Sequence, residues 1–472
     1  MKKAVVLGGG VGGLAAGWML ARTKRYDVTV IERAGTLGGV CGTFQHGDFL
    51  LDYGPHKSYS TIPGILDELT SLMGDEFIRH RKSNTIYLFG SFLRYPIRLL
   101  DLARKMRPSE FLACGLSAAA AALPLPGRRD ALSYEDYVIS RFGRRLYSLV
   151  FEPLADKVWG DPSTLSADIA RTRIPASGVA DLALRVLGLK KESKLTDAEY
   201  FFYPRLGFGR IPGRMHEEIL RYGGRAFTGA KTTKIHTPNG RVTGVDVEID
   251  GRNERLDCDV LISSIPLHET VSLLGGADEP DIARTVAAAR QLQYRAAFLV
   301  YVVLQRERVT NHHWLFFPER DLIFGRVFEQ KQMSEAMSPP GQTVLCCDFT
   351  DDEGGPLWSQ TDEQLAARVV EDLEKIGLID RAWVKDVFVK RLPKFYPRYD
   401  LRYKETTSRL YESLRRYDGL VPTGRIGFYN YNNSDHCIDM GKYIAERLDA
   451  GSATADIWTG LEQRVAAYRI VD

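Results

Sequence analysis

Lys3-Ala-Val-Val-Leu7 runs without a break into Gly8-Gly9-Gly10-Val11-Gly12-Gly13, and the helical run Leu14–Ala21 follows at once. No other feature of the chain constrains its fold as tightly. An apolar run of that composition reads as a buried parallel strand. The glycines then match G-x-G-x-x-G at a strand-to-helix turn, where each has a steric role. Gly8 makes the tight turn, Gly10 lets backbone approach a pyrophosphate, and Gly13 lets the helix lie against the strand. Val11 and Gly12 open the helix, whose N-terminal amides and dipole favour bound phosphate. A second strand, Asp27–Ile31, ends in Glu32, about twenty residues beyond the glycines, where a carboxylate accepts ribose hydroxyls. Strand, glycines, helix, strand and acid in that order predict a Rossmann-like α/β unit that binds a dinucleotide.

At 472 residues the chain suits two or three domains sharing large cores. The net charge of +3 and the scattered basic residues argue against a nucleic-acid partner. Six cysteines (Cys41, Cys114, Cys258, Cys346, Cys347, Cys437) show no metal-ligand spacing, and neither does the pair His312–His313. No metal is expected, and the thiols read as reduced in a cytoplasmic protein. The N-terminal apolar run is too short, and too quickly followed by glycine, to be a signal peptide. Phe111–Leu125 is Ala-rich and too short to cross a bilayer; a packed helix is expected there, with no integral membrane span.

Residues 95–195 read mainly as helices, with periodic apolar residues in Ile97–Met106, Tyr134–Leu149 and Val179–Leu187, and a break at Leu123-Pro-Leu-Pro-Gly127. Arg241–Ile249 and Glu254–Ile262 read as a hairpin around Asp250-Gly251. Ala297–Leu304, Trp314–Phe317 and Thr343–Phe349 read as strands of an antiparallel sheet. The segments interleave. The expected organisation is a discontinuous dinucleotide-binding domain (1–92, 205–290 and 405–472), a helical insertion (93–204) and an antiparallel-sheet substrate domain (291–404).

Past Glu32, the stretch Arg33-Ala-Gly-Thr-Leu-Gly38-Gly39-Val40 carries a second glycine pair. This resembles the amine-oxidase-like flavoprotein superfamily, where such a pair lets backbone run beside the pyrophosphate and ribityl chain; the resemblance implies FAD. Other segments are similar to UDP-galactopyranose mutases. Asp52-Tyr53-Gly54-Pro55-His56 resembles that family's segment beside the isoalloxazine ring. Leu93-Arg94-Tyr95-Pro96, Lys157-Val158-Trp159-Gly160, Thr172-Arg173-Ile174-Pro175, Gly325-Arg326-Val327 and Phe395-Tyr396-Pro397 resemble further motifs. Gly424-Arg425-Ile426-Gly427-Phe428-Tyr429-Asn430-Tyr431, followed by Asp435-His436, resembles the closing motif at the flavin's pyrimidine end. The chain departs from the family at Asn430, where an Arg is usual, at Phe316, where one branch has Tyr, and in the Lys-rich stretch Leu189–Glu199.

The resemblance implies that Gly424, Arg425, Asn433, Asp435, His436 and Cys437 join the glycine segments in holding FAD. It implies that Trp159, Tyr200, Tyr396, Tyr429 and Tyr431 contact substrate, with Arg173 and Arg326 on its diphosphate. From the residues themselves, Arg326 stands between apolar neighbours and needs an anion. Asp435 is by type an N-terminal cap for a helix at Cys437–Leu448. His56, Arg173 and Arg326 are the candidate catalytic residues. The implied activity is ring contraction of a nucleotide sugar, with reduced FAD as nucleophile through N5 and the arginines stabilising the departing diphosphate. The alternative is an FAD oxidoreductase, amine oxidase-like or protoporphyrinogen oxidase-like, removing hydride from a C–N or C–C bond. Either is compatible with a homo-oligomer.

Overall fold

The strand Lys2–Leu7 takes the middle of a five-stranded parallel sheet, in the order Leu420–Pro422, Val260–Ser263, Lys2–Leu7, Tyr26–Ile31, Arg225–Phe227. The computed structural model describes residues 1–95, 97, 99–122, 131–174, 199–274 and 280–470. Ala4 to Leu7 are buried, as a central strand covered on both faces requires. The helix Val11–Arg22 packs against Ser434–Asp449 and Arg210–Arg221. Gly441 permits the first of these contacts, because a Cβ there would stand 2.6 Å from the Ala16 nitrogen. The first and last parts of the chain are thereby joined in one layer.

The sequence reading made Arg241–Ile249 and Glu254–Ile262 one hairpin. The turn is present, with Asp250 and Gly251 both at positive φ (50° and 73°). The second run divides, however. Arg252–Asp257 pairs back on Gly244–Ile249, while Val260–Ser263 joins the parallel sheet beside Lys2–Leu7. Asp259 fixes the changeover: its carboxylate accepts the Lys3 N–H at 2.7 Å.

The other large sheet has seven strands, in the order Val384–Pro397, Tyr294–Leu304, Thr343–Asp352, Arg326–Glu329, Trp314–Phe316, Asn84–Leu88, Ser91–Tyr95. All its pairs are antiparallel except Asn84–Leu88 beside Trp314–Phe316. Residues 84–95 complete this sheet, whereas the sequence reading kept residues up to 92 with the dinucleotide unit. Their apolar side chains Ile86, Leu88 and Leu93 find their cover here, against Leu102 and Met106. The helix Asp362–Lys375 packs Leu365, Val369 and Leu373 on the sheet's other apolar face.

In the insertion, the described helices include Leu99–Lys105, Pro108–Ala122, Tyr134–Phe142, Glu152–Trp159 and Ala167–Arg173. The expected helix Tyr134–Leu149 breaks at Gly143 (φ 80°), whose missing Cβ would lie 2.6 Å from the Ser117 carbonyl carbon. The break at 123–127, the helix at 179–187, residues 189–198, Pro96 and Pro175 lie outside the described residues. Among the described residues no helix is long and apolar enough to cross a membrane.

Candidate functional site

The strand-to-helix turn is shaped by missing side chains. A Cβ on Gly13 would lie 2.0 Å from the Gly8 carbonyl oxygen, and one on Gly12 would lie 2.7 Å from the Gly424 Cα. Gly8 itself sits at φ +96°. Gly10 caps the helix in extended conformation with no side-chain bond, and nothing stands within 4 Å of where its Cβ would be. The first-turn amides of a buried helix are thus left for a ligand to satisfy. The second glycine pair lies alongside: Gly10 and Gly38 form a parallel bridge, and Gly38 N–H donates to the Gly9 carbonyl at 2.8 Å. The Glu32 carboxylate accepts from Gly9 N–H at 2.6 Å and from Ala34 N–H at 2.7 Å. A carboxylate offers about four acceptor positions, so ribose hydroxyls can share it. Uncapped helix, paired glycines and carboxylate together fit a dinucleotide.

A cavity of about 280 Å³ gathers residues from far apart in the chain. His56, Tyr53 and Pro55 come from the loop after Phe49–Asp52, Trp159 and Arg173 from the helical insertion, Arg326 and Tyr396 from the large sheet, and Arg425, Tyr431, Asn433 and Asp435 from the last part of the chain. Arg173 ends the helix Ala167–Arg173. Its guanidinium carbon lies 4.5 Å from the Tyr431 ring centre and 5.0 Å from that of Trp159. Trp159 Nε1–H donates to the Tyr431 hydroxyl at 3.0 Å, and Tyr431 stacks on Tyr396 at 4.8 Å. Arg425 then sits 5.3 Å from the Tyr396 ring and donates from Nε to the Asn432 carbonyl at 2.7 Å. Cations and rings alternate along this wall, an arrangement held by cation–π attraction.

The anion that Arg326 needs is supplied from the neighbouring strand. Register places Arg326 opposite Asp348, and the guanidinium donates to both carboxylate oxygens, at 3.1 and 2.8 Å. This pair uses two of the five donors of an arginine. Two lysines that the sequence reading missed also line the cavity. Lys57 donates to Asn84 at 2.7 Å and lies 3.7 Å from the Trp314 ring centre. Lys157 donates to the carbonyls of Phe317, Glu319 and Phe324 at 2.6–2.9 Å, fixing the segment that leads into Arg326; burial pulls its pKa down to about 8. Among the described residues that line it, five are cationic (Lys57, Lys157, Arg173, Arg326, Arg425) and two are acids, Asp348 and Asp435. Asp348 is taken by Arg326, and Asp435 accepts the Ser60 hydroxyl at 2.8 Å.

His56 stacks on Phe208 at 4.7 Å, with Nε2 2.9 Å from the Val40 carbonyl oxygen. That acceptor assigns the proton to Nε2. Burial, opposed by the Val40 bond and reinforced by Arg425 and Arg326, pulls its pKa down to about 4. Beneath it, Asp52 accepts from Phe208 N–H at 3.0 Å and from the hydroxyls of Thr43 and Tyr203. Burial raises the Asp52 carboxyl to about 6.

Several expected contacts fall elsewhere. Tyr200 lies on the strand Tyr200–Pro204, more than a third exposed, with Arg79 over its ring. Tyr429 is buried, and its hydroxyl donates to the carbonyls of Gln293 and Arg398. Neither lines the cavity. The closing helix begins earlier than expected, as Ser434–Asp449, and its cap is Asn433, not Asp435. Asp435 sits in the first turn, while Asn433 N–H donates to His436 Nδ1 at 3.2 Å. His436 stacks on Tyr468 at 4.4 Å and lines a separate cavity. Cys437 is buried, and Arg33, largely exposed, pairs with Glu269. One signal was available for Asp348: it is an acid within the apolar strand Thr343–Phe349. Lys57 has only its place next to His56 to mark it.

The pattern of the family described as flavin containing amine oxidoreductase matches residues 11–429. Phytoene dehydrogenase of Streptomyces griseus is 24% identical over 300 residues, 57% of this chain and 55% of that protein. The zeta-carotene-forming phytoene desaturase of Myxococcus xanthus is 25% identical over 356 residues, 70% of this chain and 65% of that protein. The chain thus covers less than two thirds of either relative's length. Among solved structures, reduced UDP-galactopyranose mutase superposes with a TM-score of 0.85 over 100% of both chains, at 16% identity. A protein provisionally described as a protoporphyrinogen oxidase, from Exiguobacterium sp. 255-15, gives 0.71 over 96% of this chain and 99% of the other, at 20% identity. These likenesses show a shared fold.

Proposed function

This chain belongs to the family of flavin containing amine oxidoreductases, and from that premise we propose that it is a nucleotide-sugar mutase that contracts a pyranose ring to a furanose. It is an FAD-binding flavoprotein by family. The glycine turn, Gly38–Gly39, Glu32, and the Tyr53–His56 and Gly424–Arg425 segments are the residues we assign to FAD. Held reduced, FAD supplies the nucleophile for the anomeric carbon.

One observation carries it. Arg173 and Arg326 line the same cavity, together with Lys57, Lys157 and Arg425 and a set of stacked rings. Such a wall suits a phosphate-bearing ligand with a planar ring better than a hydrocarbon, because guanidinium and ammonium groups hydrogen-bond phosphate oxygens and aromatic faces stack on planar rings. Arg173 and Arg326 hold the diphosphate and stabilise its charge as it departs, an effect worth about 3 kcal/mol per preorganised donor in comparable sites. Asp348 holds the Arg326 guanidinium in one orientation through two hydrogen bonds. Lys157 positions the segment leading into it. Trp159, Tyr396 and Tyr431 supply ring faces for the nucleotide or sugar. His56, neutral at physiological pH, adds no charge to the site and ties the Val40 backbone by its Nε2–H.

A second reading rests on the relatives named as a phytoene dehydrogenase and a phytoene desaturase. On that reading the enzyme is an FAD oxidoreductase that takes hydride from a C–C bond. Equilibrium binding separates the two. Reduced protein is expected to bind UDP-galactose or another nucleotide sugar, and Arg173→Ala and Arg326→Ala each weaken it roughly ten- to hundredfold. Absence of nucleotide-sugar binding in both redox states, with flavin bleaching by a polyene, would favour the oxidoreductase.

A further inference from the structure

We propose that the helix Pro108–Ala122 docks this enzyme onto an anionic lipid leaflet. Phe111, Leu112, Gly115, Leu116, Ala119 and Ala120 are all exposed, Leu112 by 63% and Leu116 by 64%. Their spacing puts them on one face over three turns. The opposite face is spent on packing: Ala118 is buried, and Ser117 lies against Gly143. From Phe111 to Gly127 the sequence holds no charged residue. An apolar stripe of this kind on a solvent-facing helix marks a surface that is covered in use.

Charge identifies the cover. Arg104, Lys105 and Arg107 are exposed just before the stripe, and Arg128-Arg129 follow it in sequence. The acid within the helix, Glu110, is bound by Arg145 through two nitrogens. An apolar face led by exposed cations matches acyl chains beneath anionic headgroups. A second copy's helix offers these cations no counter-charge, since Glu110, the acid within it, is held by Arg145. Fifteen residues rise only about 22 Å, short of the hydrocarbon core, so the helix lies in the interface and does not span it. Arg145 and Gly143 fix it to the insertion that also carries Trp159 and Arg173, so docking would hold the catalytic cavity at the membrane surface.

The test is co-sedimentation of the FAD-loaded full chain with vesicles of phosphatidylcholine alone or mixed with phosphatidylglycerol. Binding is expected to the mixed vesicles and to fall with salt. Arg104→Gln/Lys105→Gln/Arg107→Gln should weaken it roughly a hundredfold. Leu112→Glu/Leu116→Glu should weaken it more than about tenfold, with flavin content and melting temperature unchanged because both positions are exposed. Wild-type protein that ignores both vesicle types overturns the proposal. So does sedimentation velocity showing a wild-type dimer that Leu112→Glu/Leu116→Glu converts to monomer, because the stripe is then covered by a second copy.

Discussion

At the strand-to-helix turn the structure works by leaving side chains out; in the cationic cavity it works by bringing them in. Gly12 and Gly13 face backbone at distances that admit no Cβ, and Gly8 sits at φ +96° with the Ser264 hydroxyl 2.4 Å from where its Cβ would be, so the turn has a single solution. The cavity's arginines, lysines and rings arrive from distant segments and satisfy one another, Arg326 with Asp348 and Trp159 with Tyr431. The difference teaches what each region can vary. A backbone cradle accepts one class of ligand and fails outright when altered. A side-chain cavity of paired groups can be retuned residue by residue, and one fold carries both mutases and oxidases.

The largest effect should come from breaking the turn. Gly13→Ala forces a methyl against the Gly8 carbonyl oxygen, where rigid backbone cannot yield, and should leave protein without bound flavin; the absorbance ratio of flavin to protein reads this directly. Arg173→Ala and Arg326→Ala should do the reverse. Flavin content stays, while nucleotide-sugar affinity falls by about 1.5–3 kcal/mol each. If either variant lost flavin as Gly13→Ala does, the two regions would not be separable.

Acid should sharpen the comparison next. The folded pKa of His56, about 4, lies below the unfolded value of about 6.5. Above that value both states are neutral and nothing is lost. As pH falls from about 6.5 towards 4, the unfolded chain takes a proton the folded one refuses, so stability drops, by about 2 kcal/mol at pH 5. Asp52, raised to about 6, acts oppositely over about 6 to 4, where the folded state protonates first and gains. Urea midpoints of wild type and His56→Gln between pH 7 and 5 should show a smaller acid loss in the variant. The smallest effect is Tyr431→Phe, which leaves Trp159 Nε1–H without its acceptor and should cost about 1 kcal/mol in thermal unfolding, with flavin retained.

How much was legible in sequence follows the same division. The turn was read in full because steric necessity leaves glycines as its signature, and their spacing is local. Val260–Ser263 was misassigned because an apolar run does not say which sheet receives it, and the changeover depends on Asp259 meeting Lys3 across the chain. In the cavity, Arg173 and Arg326 were found through motif likeness. Asp348 and Lys57 were not, because a partner across a sheet register has no fixed distance in sequence. Tyr200 and Tyr429 were expected at the site by motif alone. Their ring directions are set by strand pairing and by a buried turn at positive φ, neither of which a motif encodes. Asn433 displaced Asp435 as cap because both are good caps by type, and backbone direction decides between them.

The central claim is that this cavity serves a nucleotide sugar, with the flavin acting through bond formation rather than net oxidation. The most direct measurement is an anaerobic incubation of dithionite-reduced protein with UDP-galactose and other nucleotide sugars, following the ring form of the sugar and the flavin spectrum in one vessel. The account predicts furanose product, a flavin that is still reduced after many turnovers, and no product from oxidised protein. No furanose from any nucleotide sugar, together with bleaching of the oxidised flavin by an amine or a polyene, would contradict it.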